Sequence, residues 1–265
     1  LANNLRRFIP DRLAYFLIRI RNISFQQFFF KRARAYPEQA KERILNMVKE
    51  ELPEDIVNKH FTPSYNPWDQ RICLIPNSDF FESIKAKTSS VVTDHIEKFE
   101  EKGIRLKSGN FLPADLIVTA TGLILESFGG VKMSVDNKPI EASDTYTYRS
   151  LMYSGIPNLV SCFGYINASW TLKADLTSEY VCRLIKHMKK NDFEVVCPQF
   201  EVDIEESDDF LNGFSSGYIK RAADSQPKQG KEKPWINLQD YFKDWIDIKF
   251  KKLDDGYLNF SKLEK

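Results

Sequence analysis

Apolar side chains near the start of the chain recur with the helical period. Leu13, Phe16, Leu17, Ile20 and Ile23 fall on one stripe behind Pro10 and Asp11, which suit a helix start. A second helix is expected from Pro37. Proline fits its first turn, Glu38 favours the positive end of the dipole, and Ile44, Leu45, Val48 and Leu52 form a stripe that Pro53 ends. Residues 1–60 are therefore expected to be helical. The period changes downstream: Ser90–Thr93 reads as a short strand, and Gly103–Leu112 as a hairpin turning at Ser108, Gly109 and Asn110. Asp115–Ala120 reads as a strand whose unbroken Leu116-Ile117-Val118 suits burial on both faces, which predicts a parallel α/β sheet. Leu159–Phe163 repeats the strand signal and runs through Gly164 into a helix from about Thr171 to Lys190. Leu172, Leu176, Tyr180, Leu184 and Met188 share one face of that helix. Residues 201–209 are acidic, residues 224–234 read as a mobile loop, and a final helix is expected around Leu238–Ile248.

Composition adds little to this picture and excludes more. The 265 residues, 42% hydrophobic and 13% aromatic, can bury one large core or two modest ones. With 38 basic and 37 acidic side chains the net charge is +1, so no overall field draws the chain to nucleic acid. Cys73, Cys162, Cys182 and Cys197 lie far apart without a C-x-x-C pair, which argues against a disulfide framework or zinc knuckle and for a reducing, cytoplasmic setting. The apolar run Ala14–Ile18 is far shorter than the ~20 residues of a spanning helix. Charge is nevertheless uneven. The first 34 residues hold eight basic side chains against Asp11 alone, interleaved with Phe28, Phe29 and Phe30. Such a helix either packs its aromatic face on the protein with solvated arginines outside, or touches an anionic membrane surface peripherally. The opening at Leu1, with residues that read like the middle of a protein, predicts a fragment.

His60, His95 and His187 show no H-E-x-x-H spacing, and no G-x-S-x-G elbow, Walker loop or G-x-G-x-x-G is present, so neither a metal site nor triad hydrolysis is expected. Three stretches remain. In Tyr65-Asn66-Pro67-Trp68-Asp69-Gln70-Arg71 a turn presents a permanently charged guanidinium that could favour a developing anion; the ordinary alternative pairs Arg71 with Asp69 on the surface. In Val118-Thr119-Ala120-Thr121-Gly122 a strand ends in small residues that allow close approach to a cofactor, or serve turn geometry alone. In Gly164–Thr171 a loop feeds a helix that Asn167 or Ser169 can cap, and a helix start suits an anion or an electron-rich carbonyl.

Together and in this order these stretches resemble the class B flavoprotein monooxygenases, most closely the ethionamide monooxygenase branch of the Baeyer-Villiger type. The likeness runs through His60-Phe61-Thr62-Pro63, Ala114–Gly122, Ser154-Gly155-Ile156-Pro157-Asn158, Asn167–Leu176 and Ser216-Gly217-Tyr218, and so covers most of the chain. It implies the C-terminal half of a protein with two dinucleotide-binding domains. Residues 1–118 would finish an NADPH domain and 119–265 would complete an FAD domain. The N-terminal G-x-G-x-x-G loops and F-x-G-x-x-x-H fingerprint of the family are absent from this sequence, so the fragment is expected to be inactive alone. The resemblance further implies oxygen transfer from dioxygen through a flavin peroxide to a ketone, giving an ester, or to sulfur or nitrogen of a thioether or amine. Arg71 matches the family's active-site arginine. Thr121, Gly122, Asn167, Ala168, Ser169 and Trp170 would lie at the cofactor, with Trp170 also walling the substrate pocket. Two other readings stand beside this one: an N-hydroxylating flavoenzyme or reductase of related fold, and a non-catalytic basic module for a membrane surface or protein partner.

Overall fold

The computed structural model describes residues 2–73, 75–200, 204–207 and 215–263. It divides into two compact units, one formed by residues 1–32 with 124–265 and the other by residues 33–123. The helical opening follows the sequence pattern. After the single turn α1 (Ala2–Leu5), α2 (Asp11–Ala35) begins at the expected Pro10-Asp11 signal, and α3 (Pro37–Glu51) carries proline in its first turn. The predicted stripe of α2 is mostly outside: Ile23 is buried, as is Ala14 beside the stripe, whereas Leu13, Phe16 and Leu17 are 47%, 55% and 45% exposed.

The second unit continues with α4 (Glu54–His60), α5 (Asp79–Lys85) and a three-stranded antiparallel sheet of β1 (Ile96–Glu100), β2 (Gly103–Leu106) and β3 (Phe111–Pro113). The hairpin at Ser108–Asn110 forms as expected, with Gly109 at φ 89° and its N–H donating to the Leu106 carbonyl at 2.9 Å. Gly103 is required at the start of β2: a Cβ there would stand 2.0 Å from the Leu112 carbonyl oxygen. Edge-to-face contacts join Phe61, Phe80 and Phe81 at centroid separations of 5.8 to 6.1 Å.

In the first unit, β4 (Met133–Val135) pairs with β5 (Lys138–Ile140), and β6 (Thr147–Tyr148) with β7 (Met152–Tyr153). The long helix α6 (Trp170–Asn191) is followed by β8 (Val195–Pro198), β9 (Glu206–Ser207), α7 (Gly217–Ala222), β10 (Gln229–Gly230), α8 (Tyr241–Phe250) and β11 (Leu258–Ser261). β8 pairs with β11 and β9 with β10, both antiparallel. The predicted face of α6 is the one buried: Leu172, Leu176, Tyr180 and Leu184 enter the core with Met188 at its margin, together with Val196, Trp235, Ile248 and Leu258. Trp235 sits edge-on to Tyr148, Phe200 and Tyr257, with centroids 5.5, 5.0 and 5.8 Å away.

Five expectations are corrected. Ser90–Thr93 is irregular, and the strand lies further on at Ile96–Glu100. Asp115–Ala120 and Leu159–Phe163 form no strand, and Leu116 and Val118 are each 81% exposed. A strand is made by a ladder of hydrogen bonds to a neighbour. Residues 115–120 have no such partner among the described residues, and 159–163 makes a single main-chain bond, from the Ser161 N–H to the Leu151 carbonyl at 2.8 Å, which is too little for a ladder. The parallel sheet is likewise not seen: every pairing of described strands is antiparallel, and parallel bridges occur only as isolated pairs, Pro67 with Gln70 and Tyr146 with Lys228. Residues 224–234 are not a free loop. Lys228 exchanges main-chain hydrogen bonds with Thr145 and Thr147 at 2.8 and 2.9 Å, and Gln229 is 3% exposed. The acidic stretch 201–209 lies outside the described residues apart from 204–207. What stands is a mixture of helix and sheet. No described helix is long and apolar enough to cross a membrane.

Candidate functional site

The entrance to α6 is the most firmly built of the three predicted stretches. Gly164 allows Trp170 to fold back over the chain, since a Cβ there would meet the indole at 2.1 Å. The indole lies 5.4 Å from the Phe163 ring and is 47% exposed. Between them the loop is fastened to the segment leading into α8. The Ile166 N–H donates to Gln239 Oε1 at 2.8 Å, and Asn167 Nδ2 donates to the Gln239 carbonyl at 2.7 Å. Neither expected cap forms: Ser169 occupies the cap position but its hydroxyl shares a hydrogen bond with Thr171 Oγ1 at 2.8 Å, while Asn167 is committed to Gln239. That commitment leaves Asn167 Oδ1 buried without a partner beside a helix start whose first N–H groups have none within the helix. Ala168 packs at the margin of the core.

Beneath this loop lies a buried charge cluster that local sequence spacing does not reveal. Asp244, on α8, is 1% exposed and accepts from Lys173 Nζ at 2.8 Å, Lys233 Nζ at 2.7 Å and Tyr165 Oη at 2.9 Å. Burial alone would raise the Asp244 carboxyl, but the two ammonium groups outweigh it and hold it below the usual carboxylate range. Burial in turn pushes the Lys173 ammonium below its ordinary value, against the pull of Asp244. Arg149, also buried, pairs with Asp247 at 2.6 Å and Asp255 at 2.9 Å, and Tyr148 donates to the same Asp255 oxygen at 2.7 Å. Tyr165 links this cluster directly to the 164–170 loop. The one visible sequence signal is Lys173 lying beside Leu172 on the apolar face of α6.

Arg71, Thr121 and Gly122 belong to the other compact unit. The turn before Arg71 forms: the Asp69 N–H donates to the Asn66 carbonyl and the Asn66 N–H to Asp69 Oδ2, both at 3.1 Å. Asp69 is engaged by Arg34 at 2.7 Å, and Arg71 is exposed with no ion pair among the described residues. Its guanidinium is thus available for a ligand. Thr121 and Gly122 are exposed on unpaired chain, Gly122 at φ 108°. Among the described residues no cluster of three or more histidine, cysteine or acidic side chains could hold a metal ion.

Comparison with known proteins agrees with the motif reading. The chain is 44% identical over 262 residues, 98% of its length, to the FAD-containing monooxygenase EthA of Mycolicibacterium smegmatis, of which it covers 53%. It is 44% identical over 257 residues, 97% of its length, to the probable FAD-binding monooxygenase AlmA of an Acinetobacter species, covering 52% of that protein. A putative FAD-containing monooxygenase of Mycobacterium tuberculosis, MymA, is 40% identical over 257 residues, 97% of the chain and 52% of the relative. The chain spans about half the length of the curated relatives it matches. No family model and no solved structure matches it. It is, nearly end to end, a homologue of monooxygenases named for FAD. More narrowly, the names EthA, AlmA and MymA agree with the ethionamide monooxygenase branch to which its motifs point.

Proposed function

We propose that this chain is the C-terminal half of an FAD- and NADPH-dependent monooxygenase of the Baeyer-Villiger type. The observation that carries the proposal is the 44% identity to FAD-named monooxygenases over 97 to 98% of the chain. The overall reaction takes a ketone, dioxygen, NADPH and a proton to an ester, NADP⁺ and water; a thioether or amine would give the corresponding oxide. On this reading residues 1–118 finish an NADPH domain and 119–265 an FAD domain.

The residues present fit a flavin. Asn167 Oδ1 is a buried acceptor without a partner at a helix start, the kind of polar pair that meets the donor and carbonyl edge of a pyrimidine ring. Thr121 and Gly122 offer exposed backbone for close approach. When bound, FAD supplies the activation of dioxygen, with NADPH as electron source. The chain's own part is to hold the 164–170 loop still through Gln239 and Asp244; on this reading Arg71 contributes a permanent positive charge that favours negative charge developing on oxygen.

Arg71→Ala in the full-length protein is expected to leave NADPH oxidation running while ester or sulfoxide falls on the order of a hundredfold, the loss typical of one oxyanion donor. NADPH consumption and product are followed together with a simple ketone and a thioether. Product formation unchanged by the substitution would remove Arg71 and the assignment with it; a parent that binds no flavin would remove the proposal entirely.

A further inference from the structure

A cavity of about 270 Å³ opens within the unit formed by residues 1–32 and 124–265, just below the range of about 300 to 1,000 Å³ usual for drug-sized ligands and so suited to a smaller molecule. Leu125, Phe128, Tyr153 and Phe163 give it apolar walls, and Ser150 and Cys162 are among its other lining residues. The walls are built rather than incidental. Phe128 stands edge-on to Tyr153 at 4.7 Å, the Tyr153 hydroxyl is hydrogen-bonded to Ser161, and Ser127 Oγ donates to the Ser225 carbonyl at 2.8 Å.

Ser150 is the unusual member. It is 6% exposed, lines the cavity, and its Oγ has no hydrogen-bond partner. Buried hydroxyls are ordinarily paired, so an unpaired one facing a cavity marks a place where a ligand atom completes the bond. The backbone is also constrained here: Arg149 and Ser150 take φ of 51° and 57°, left-handed values that non-glycine residues adopt sparingly. The Arg149 ion pairs with Asp247 and Asp255 hold that turn in place. The one charged residue lining the cavity is Glu126, itself exposed, so an anionic ligand is disfavoured.

We propose that this cavity binds a small, neutral, largely apolar molecule through one hydrogen-bond acceptor, a ketone carbonyl being the simplest, to which Ser150 Oγ donates. As a substrate subsite it rests on the monooxygenase reading; as a binding site it does not, and its test uses no flavin or NADPH, so that failure here leaves that reading intact.

Cys162 is an exposed free thiol on the cavity lining and serves as reporter, with the exposed Cys182 as internal reference. Alkylation by iodoacetamide is followed at each by peptide mass, with acetophenone as probe and ethylbenzene as its counterpart lacking the acceptor. Acetophenone at twice its dissociation constant is expected to slow labelling of Cys162 about threefold by mass action, with Cys182 unchanged. Ethylbenzene is expected to bind about two- to tenfold more weakly, the effect of one neutral hydrogen bond. Ser150→Gly suits the positive φ and keeps the fold while deleting the hydroxyl, and should bring the two probes to equal strength. No protection of Cys162 by either probe overturns the site. Equal protection by both in the unsubstituted chain overturns the role of Ser150 and the ligand class, whatever the variant does.

Discussion

Asp244 is a buried carboxylate held by charge on both of its oxygens. Two lysines and a tyrosine converge on its two oxygens in a place that is 1% exposed. Its ionised form is therefore strongly preferred, and removing the charge leaves Lys173 buried without compensation. Asp244→Asn is expected to cost about 3–5 kcal/mol in urea unfolding, the range for breaking a buried pair from one side. Lys173→Met combined with Asp244→Asn should cost less than the sum of the two single changes, because the residues share one interaction. Strict additivity would show that the 2.8 Å contact is energetically idle. Arg71 is the opposite case. The turn before it is legible in the sequence because it is local, Asn66 to Asp69 closing on themselves. The Asp244 cluster was not, since its partners come from residues 165, 173 and 233, and only folding brings them to one carboxylate.

Elements divide in the same way. α3 and α6 could be read from the chain because their hydrogen bonds and apolar stripes repeat within a few residues. The segments 115–120 and 159–163 have the composition of strands but lack the ladder that would make them so, the second holding only the bond from the Ser161 N–H to the Leu151 carbonyl. α8 shows how an element's start is secured by both kinds of interaction. Asp240 accepts from the Phe242 and Lys243 N–H groups at 3.1 and 3.3 Å, a local cap, and from Lys31 Nζ at 2.8 Å, a distant one. Burial opposes ionisation of Asp240, but Lys31 and the capped N–H groups hold its carboxyl below the usual range. A carboxyl depressed by folding takes up protons later in the native than in the unfolded state. Its contribution is thus complete above the unfolded value of about 3.9 and drains away as pH falls through the native one. Asp240→Ala should therefore cost about 1 kcal/mol at pH 7. The gap between variant and parent should narrow in unfolding titrations at pH 3; an unchanged gap would mean that the carboxylate charge contributes nothing to the cap.

At the scale of the whole molecule, the notable feature is apolar surface left open. Leu116 and Val118 are each 81% exposed on a run of chain outside any described strand, and Ile124 is 87% exposed, within a sequence that spans about half the length of its relatives. Extended apolar backbone with free N–H and carbonyl groups pairs readily with other extended chains, including copies of itself. Single exposed leucines are ordinary on any protein surface, but a consecutive run such as Leu116-Ile117-Val118 is not. The chain is expected to self-associate in a concentration-dependent way measurable by light scattering. Val118→Lys should suppress that association, because a charge on an exposed strand-like segment opposes pairing. The same change should leave stability within about 0.5 kcal/mol, since an 81% exposed side chain has little packing to lose. If Val118→Lys scatters as strongly as the parent, the attraction lies elsewhere, and the aromatic surface of α2, with Phe25 and Phe28 each 65% exposed, becomes the segment to charge next.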